Sequence, residues 1–184
     1  TQVAQINELN EKDKTLYQML GVYLGDGCGS AVSKGYGIQL TMHKEEEVEI
    51  LNKFASYMAE NYERVTHKNS PAVMQITSTS GKLNVTNKLL VNKFEEFVDL
   101  SLLGHQKCIS DKIFGLSLSE QKYILQGLFT SDGTVANYGE KSQYAALDST
   151  SLRLLKDVQL LLLGFGIKCN ATSLFTLLLP PPLL

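Results

Sequence analysis

Two aspartates stand out for the chemistry they could share. Asp26-Gly27 closes the stretch Leu16–Gly27, LYQMLGVYLGDG, and Asp132-Gly133 closes Tyr123–Gly133, YILQGLFTSDG. Aligned on their Asp-Gly pairs, Gly21 matches Gly127 and Gly25 matches Ser131, with the aspartates 106 residues apart (132 minus 26). A carboxylate that ends a helix faces the negative end of the helix dipole, at a cost of about 0.3–1 kcal/mol. Two such carboxylates brought together repel unless a proton or a cation lies between them. A divalent metal resolves that conflict. Mg²⁺ commonly uses one or two carboxylates plus substrate phosphate oxygens, and metals held in this way activate water and stabilise the leaving oxygen in phosphodiester hydrolysis.

The elements that must position these groups are helices. Each stretch carries apolar residues at helical spacing and small residues at i and i+4: Gly21 and Gly25, Gly127 and Ser131. A glycine inside a helix costs roughly 1 kcal/mol against alanine, so its use at matched positions calls for a packing reason. A stripe of small residues lets two helix backbones approach closely, and pairing the stripes would bring Asp26 and Asp132 together. Gly27 and Gly133 suit the left-handed position that stops a helix.

These stretches, MLGVYLGDG at Met19–Gly27 and LQGLFTSDG at Leu125–Gly133, resemble the LAGLIDADG motif of homing endonucleases, in the form that carries two motifs in one chain. The resemblance implies an α+β fold of two pseudo-symmetric αββαββα repeats, with curved antiparallel sheets and the motif helices at the central seam. It implies a monomer that cuts both strands of a long double-stranded DNA target, with Mg²⁺ or Mn²⁺ as cofactor and Ca²⁺ binding without supporting cleavage. The metal would be held by Asp26 and Asp132, with Gly25 and Ser131 beside them. The family also carries a lysine in the connector after each repeat, before an Ile-Pro pair. Lys112-Ile113-Phe114 stands in that place with Phe for Pro, and Lys107 competes with it. The alternative of the same fold is a non-cleaving nucleic-acid-binding protein, an RNA-splicing maturase or a transcriptional regulator. Intein origin is a further option, although no splicing ends are recognisable.

The repeat organises the rest of the chain. Residues 1–14 read as a polar lead-in, 15–116 as the first repeat, 117–171 as a second, incomplete one, and 172–184 as a tail of unknown role. Asp13 or Thr15 would cap the first motif helix and Ser119 the second. Tyr36–Met42 alternates as a strand, paired with 31–33. His43–Asn61 reads as an amphipathic helix with an acidic first turn at Glu45–Glu47. Strands are expected at 64–67, 72–79 and 82–86, then a helix over Asn87–Leu103. The second repeat offers a hairpin, 134–138 with 143–147, the helix Thr150–Leu163 stopped by Gly164, and a strand at 167–171. The three consecutive prolines at 180–182 exclude helix and central strand from the tail's end.

Composition bounds the rest. The 184 residues carry a net charge of −2 and are 43% hydrophobic, so a nucleic-acid partner is read from local patches. Between Arg64 and Lys93 there are five Lys/Arg and no Asp/Glu. Gln75, Thr77 and Thr79 alternate with Met74 and Ile76, which puts polar and apolar residues on opposite sheet faces. With Arg64, Lys68, Lys82 and Asn84 they form the expected DNA-binding set, with amides and hydroxyls for base edges and cations for phosphates. Cys28, Cys108 and Cys169 have neither metal-ligand nor disulfide spacing, which points to free thiols in a reducing, intracellular compartment. No apolar run approaches the roughly 20 residues of a membrane span.

Overall fold

The computed structural model describes residues 8–32, 35–43, 48–62, 72–76, 80–137, 143–171 and 176–179. Helix α1 (Glu11–Asp26) leads directly into β1 (Gly27–Val32) and β2 (Gly35–His43), then α2 (Val48–Asn61), β3 (Ala72–Ile76), β4 (Ser80–Val85) and α3 (Lys88–Glu95). A single turn of 3₁₀ helix at Gly104–Gln106 and the short α4 (Asp111–Phe114) form the connector. The order then repeats as α5 (Leu118–Asp132), β5 (Gly133–Asn137), β6 (Gln143–Asp148), α6 (Leu152–Gly164), β7 (Asn170–Ala171) and β8 (Thr176–Leu178). The architecture is α+β with two repeats, αββαββα followed by αββαββ among the described residues, as the sequence implies.

Each repeat builds an antiparallel sheet with the same connectivity, β1-β2-β4-β3 and β5-β6-β8-β7. In the first sheet Ile38, Leu40, Met42, Leu83 and Val85 are buried, whereas the alternating Gln39, Thr41, Lys82 and Asn84 are half-buried. This two-residue period sends one face to the helices and leaves the other, polar face opposite them. One continuous core joins the halves, from Leu51 and Phe94 through Leu20 and Leu128 to Leu155 and Leu177.

Local signals differ from expectation at several ends. Asn10, not Asp13 or Thr15, caps α1; its side chain accepts the Asp13 N–H at 2.8 Å. Ser117 caps α5 in place of Ser119, forming a reciprocal capping box with Glu120, whose two partners each satisfy a free helix-end donor. Ser151 caps α6. Gly27 and Gly133 are extended, with φ of −84° each, and are not left-handed. Gly27 is instead demanded by space, because a Cβ there would lie 2.5 Å from Tyr23 Cα. The left-handed glycine after α6 is Gly166, at φ 77°, while Gly164 is the last helical residue.

Helix α3 ends at Glu95, well short of Leu103, and the segment beyond it runs through turns. His43 belongs to β2, and 44–47 lie outside the described residues, as do 64–67 and 77–79. The strand expected at 167–171 is reduced to Asn170–Ala171. The tail holds a surprise: Thr176–Leu178 is a strand paired with β6, and its Leu177 is fully buried. The second repeat therefore extends beyond 171. Its leucines gave no alternating pattern, because β8 is only three residues long.

Candidate active site

The seam is built from the small residues. A Cβ on Gly21 would fall on the Ile124 carbonyl oxygen and 2.7 Å from the Leu128 nitrogen, and one on Gly127 would fall on the Gln18 carbonyl oxygen. The two helices thus pack backbone to backbone at these turns. Gly25 faces Ser131 in the same way: its Cβ would meet Ser131 Oγ and lie 3.0 Å from Asp132 Oδ2. The absent side chain at Gly25 is what lets the Asp132 carboxylate reach across to α1.

At the C-terminal ends of this pair lies a cavity of about 380 Å³, lined by Leu24, Gly25, Asp26, Lys107, Asp132 and the turn at Asp148–Thr150, with Gly104 at its edge. Asp26 and Asp132 therefore share one cavity, although they are 106 positions apart (132 minus 26). Among the described residues no three His, Cys, Asp or Glu side chains gather as a metal-binding group. The protein's own donors to a divalent cation would be these two carboxylates and nearby carbonyls. That set fits Mg²⁺ or Mn²⁺ when phosphate oxygens and water complete the shell.

Lys107 answers the electrostatic conflict at the end of α1. It is only 6% exposed. Its Nζ donates to the carbonyls of Tyr23 at 2.8 Å, Gly25 at 2.6 Å and Gly27 at 2.7 Å. A cation on the last carbonyls satisfies acceptors that the helix leaves open and offsets the dipole's negative end. Burial pushes the Lys107 ammonium below its ordinary pKa, while the charges of Asp132 and Asp26 push it back up. Burial likewise raises the Tyr23 phenol to about 12. The Lys107 backbone is held in turn by Ser151, whose Oγ donates to the Lys107 carbonyl at 2.6 Å and accepts the Leu154 N–H at 3.1 Å.

The structure separates the two candidate lysines. Lys112 is exposed on α4 and does not line the cavity. Lys107 also stands just ahead of an isoleucine, the buried Ile109, followed by Ser110. That was the available signal for preferring it. Ser151 and the turn at Asp148–Thr150 carried no such signal, because only folding brings α6 beside the connector.

The expected DNA-binding residues are only partly in view. Lys82 and Asn84 lie on the polar face of the first sheet, half-buried, and Gln75 is in register with Lys82 on β3. Arg64, Lys68, Thr77 and Thr79 lie outside the described residues. Sequence reading missed Gln39 and Thr41, which register places beside Asn84 and Lys82. The Gln39 amide donates to Asn84 Oδ1 at 2.6 Å.

Residues 119–172 match the LAGLIDADG-like domain family. Variants of the homing endonuclease I-DmoI align over 92% of this chain and 90% of theirs at a TM-score of 0.65, with 15% identity. The chain has the LAGLIDADG homing endonuclease fold. I-DmoI in complex with DNA and Ca aligns over 95% of this chain and 85% of its own at 0.60, again with 15% identity. The homing endonuclease I-WcaI bound to its DNA recognition sequence aligns over 95% and 77% at 0.58, with 14% identity. No curated protein matches this chain by sequence. No helix among the described residues is long and apolar enough to cross a membrane.

Proposed function

We propose that this chain is a metal-dependent, site-specific endonuclease that hydrolyses both strands of duplex DNA as a monomer. The observation that carries the reading is the shared cavity: one aspartate from each repeat, delivered by a helix pair that tolerates no side chains at its closest turns. A single chain supplies both motif helices, so the seam needs no second copy. Mg²⁺ or Mn²⁺ between Asp26 and Asp132 would supply activation of water and stabilisation of the leaving oxygen. The chain's own residues do the rest. The helix pair fixes the separation of the carboxylates, and Lys107 offsets negative charge at the cavity wall. The polar face of the first sheet, with Gln39, Thr41, Lys82 and Asn84, offers amides and hydroxyls for base edges and a cation for phosphate. Structures of I-DmoI with DNA contain Ca in one case and Mn in another, which supports divalent metal use here.

The test is incubation with a library of random duplexes and Mg²⁺, followed by sequencing of the cut ends. Asp26→Asn or Asp132→Asn is expected to abolish double-strand cleavage while leaving duplex binding largely intact. Full cleavage by the double variant would refute the assignment. Binding without cleavage by the unaltered protein would favour the non-cleaving alternative of the same fold.

A further inference from the structure

Cys28 of β1, Gln39 of β2 and Asn84 of β4 are partners in register. Side chains directly opposite one another on antiparallel strands share a face, with Cβ atoms about 4.5–5.5 Å apart. This row belongs to the polar face of the first sheet. Within it the Gln39 amide donates to Asn84 Oδ1 at 2.6 Å. Both amide side chains are half-buried, and Cys28 beside them is exposed. The row lies close to the aspartate pair, because Cys28 is only two residues past Asp26.

A carboxamide carries two N–H donors on its nitrogen and an acceptor on its oxygen. The bond to Asn84 couples the two amides. Turning Gln39 over alone would set its carbonyl oxygen against Asn84 Oδ1, two acceptors with no proton between them. The bond therefore directs the Gln39 nitrogen toward β4 and uses one of its protons. The second N–H and the carbonyl oxygen form an edge with one donor beside one acceptor. In the major groove, adenine shows an acceptor, N7, beside a donor, N6–H. Guanine shows two acceptors, N7 and O6, and cytosine a donor at N4. The Gln39 edge matches adenine at both atoms and would set oxygen against oxygen on guanine.

Resting on the DNA-cleaving reading above, we propose that Gln39 is a specificity-determining residue that reads one adenine near the cut on the first-repeat side, and that Asn84 is the positioning residue that fixes its amide. The Gln39 oxygen accepts from adenine N6, and the N–H on the carbonyl side donates to N7. The opposite N–H goes to Asn84, so all three bonds coexist.

Selecting bound duplexes in Ca²⁺ and cut duplexes in Mg²⁺ from one random library, with the whole chain, tests this. The unaltered protein is expected to favour adenine at one position near the cut by roughly 5- to 150-fold, the range of a good bidentate contact. Gln39→Leu should flatten that position and spare the others. Gln39→Glu should shift it toward cytosine, whose N4 donates to a carboxylate. Asn84→Leu should weaken the adenine preference, whereas Asn84→Asp, which keeps the acceptor, should retain it. An unchanged profile in Gln39→Leu, or a loss spread evenly over all positions, overturns the proposal and leaves the nuclease reading standing. Selective binding with no cutting overturns the nuclease reading, while the adenine preference and its response to Gln39→Leu still decide the proposal. No bound duplex overturns both. Cys28 gives a measurement on the unaltered chain. A disulfide-bearing tether placed on the major-groove edge of each base in turn should trap Cys28 most readily beside that adenine, and trapping only elsewhere overturns the placement.

Discussion

At the scale of single residues, Glu120 joins the two repeats. Its carboxylate accepts the Ser117 N–H at 2.8 Å and hydroxyl at 2.7 Å, and the Tyr17 hydroxyl from α1 at 2.6 Å. Burial alone would raise its pKa, but the hydrogen bonds from Ser117 and Tyr17 outweigh it and hold Glu120 below the ordinary carboxylate value of 4.5. Burial and then the Glu120 carboxylate push the Tyr17 phenol well above its own ordinary value. A depressed carboxylate adds stability that is fully present above its unfolded pKa and is lost as pH falls through the folded one. Glu120→Ala removes half of the capping box and orphans a half-buried hydroxyl, so it should cost about 2 kcal/mol at neutral pH. Part of that gap should close as pH falls below 4.5. Urea unfolding of both proteins at neutral pH and in acid measures it, and an unchanged gap would show that the charge contributes nothing. The Glu120 cap was half legible in sequence. Ser119 lies directly before Glu120, yet Ser117 has the S-x-x-E spacing that the motif demands.

Among elements, the seam of α1 and α5 was the most legible part of the chain, because backbone contact restricts residue type more strictly than any other packing. Gly21 against Ile124 and Gly127 against Gln18 leave no room for a methyl. Gly21→Ala would gain helix propensity of roughly 1 kcal/mol. It would still destabilise, because the methyl meets main-chain atoms that cannot rotate away; overpacking of this kind costs about 1–3 kcal/mol. A drop in unfolding midpoint together with impaired cleavage is the expected outcome, since the same helices hold both aspartates. A rise in midpoint would show that the helices separate freely. The helix ends were less legible. A glycine after a helix suggests a left-handed stop, but Gly27 and Gly133 are extended because each helix runs straight into a strand. Lys107 was legible only as one of two lysines, because its burial depends on a contact 80 residues away in sequence.

Across the whole molecule, the two halves share connectivity but not surface. The first sheet presents Gln39, Thr41, Lys82 and Asn84 on its polar face. The corresponding face of the second carries Thr134, Ala146, Leu178 and Asn170 in one row and Asp148 with Thr176 in the next. Strands β5 to β8 contain no Lys or Arg. Their partners are also short, three residues in β8 and two in β7. Coverage differs as well: Gly29 of β1 lies against the Leu100 backbone, whereas Val135, its match on β5, is 83% exposed. If the sheets read DNA on adjacent helical turns, about 10 base pairs apart, discrimination should be uneven. A well-formed bidentate contact is worth about 1–3 kcal/mol against the wrong base. The first sheet has the amides of Gln39 and Asn84 able to make such contacts, and the rows named here on the second have one, Asn170 on the two-residue β7. The target should therefore be long and imperfectly symmetric, with substitutions tolerated more readily on the second-repeat side. Replacing each base pair of a cleaved site in turn, and measuring cleavage, tests this directly. Equal stringency in both half-sites would mean that residues beyond β5 to β8 read the second one.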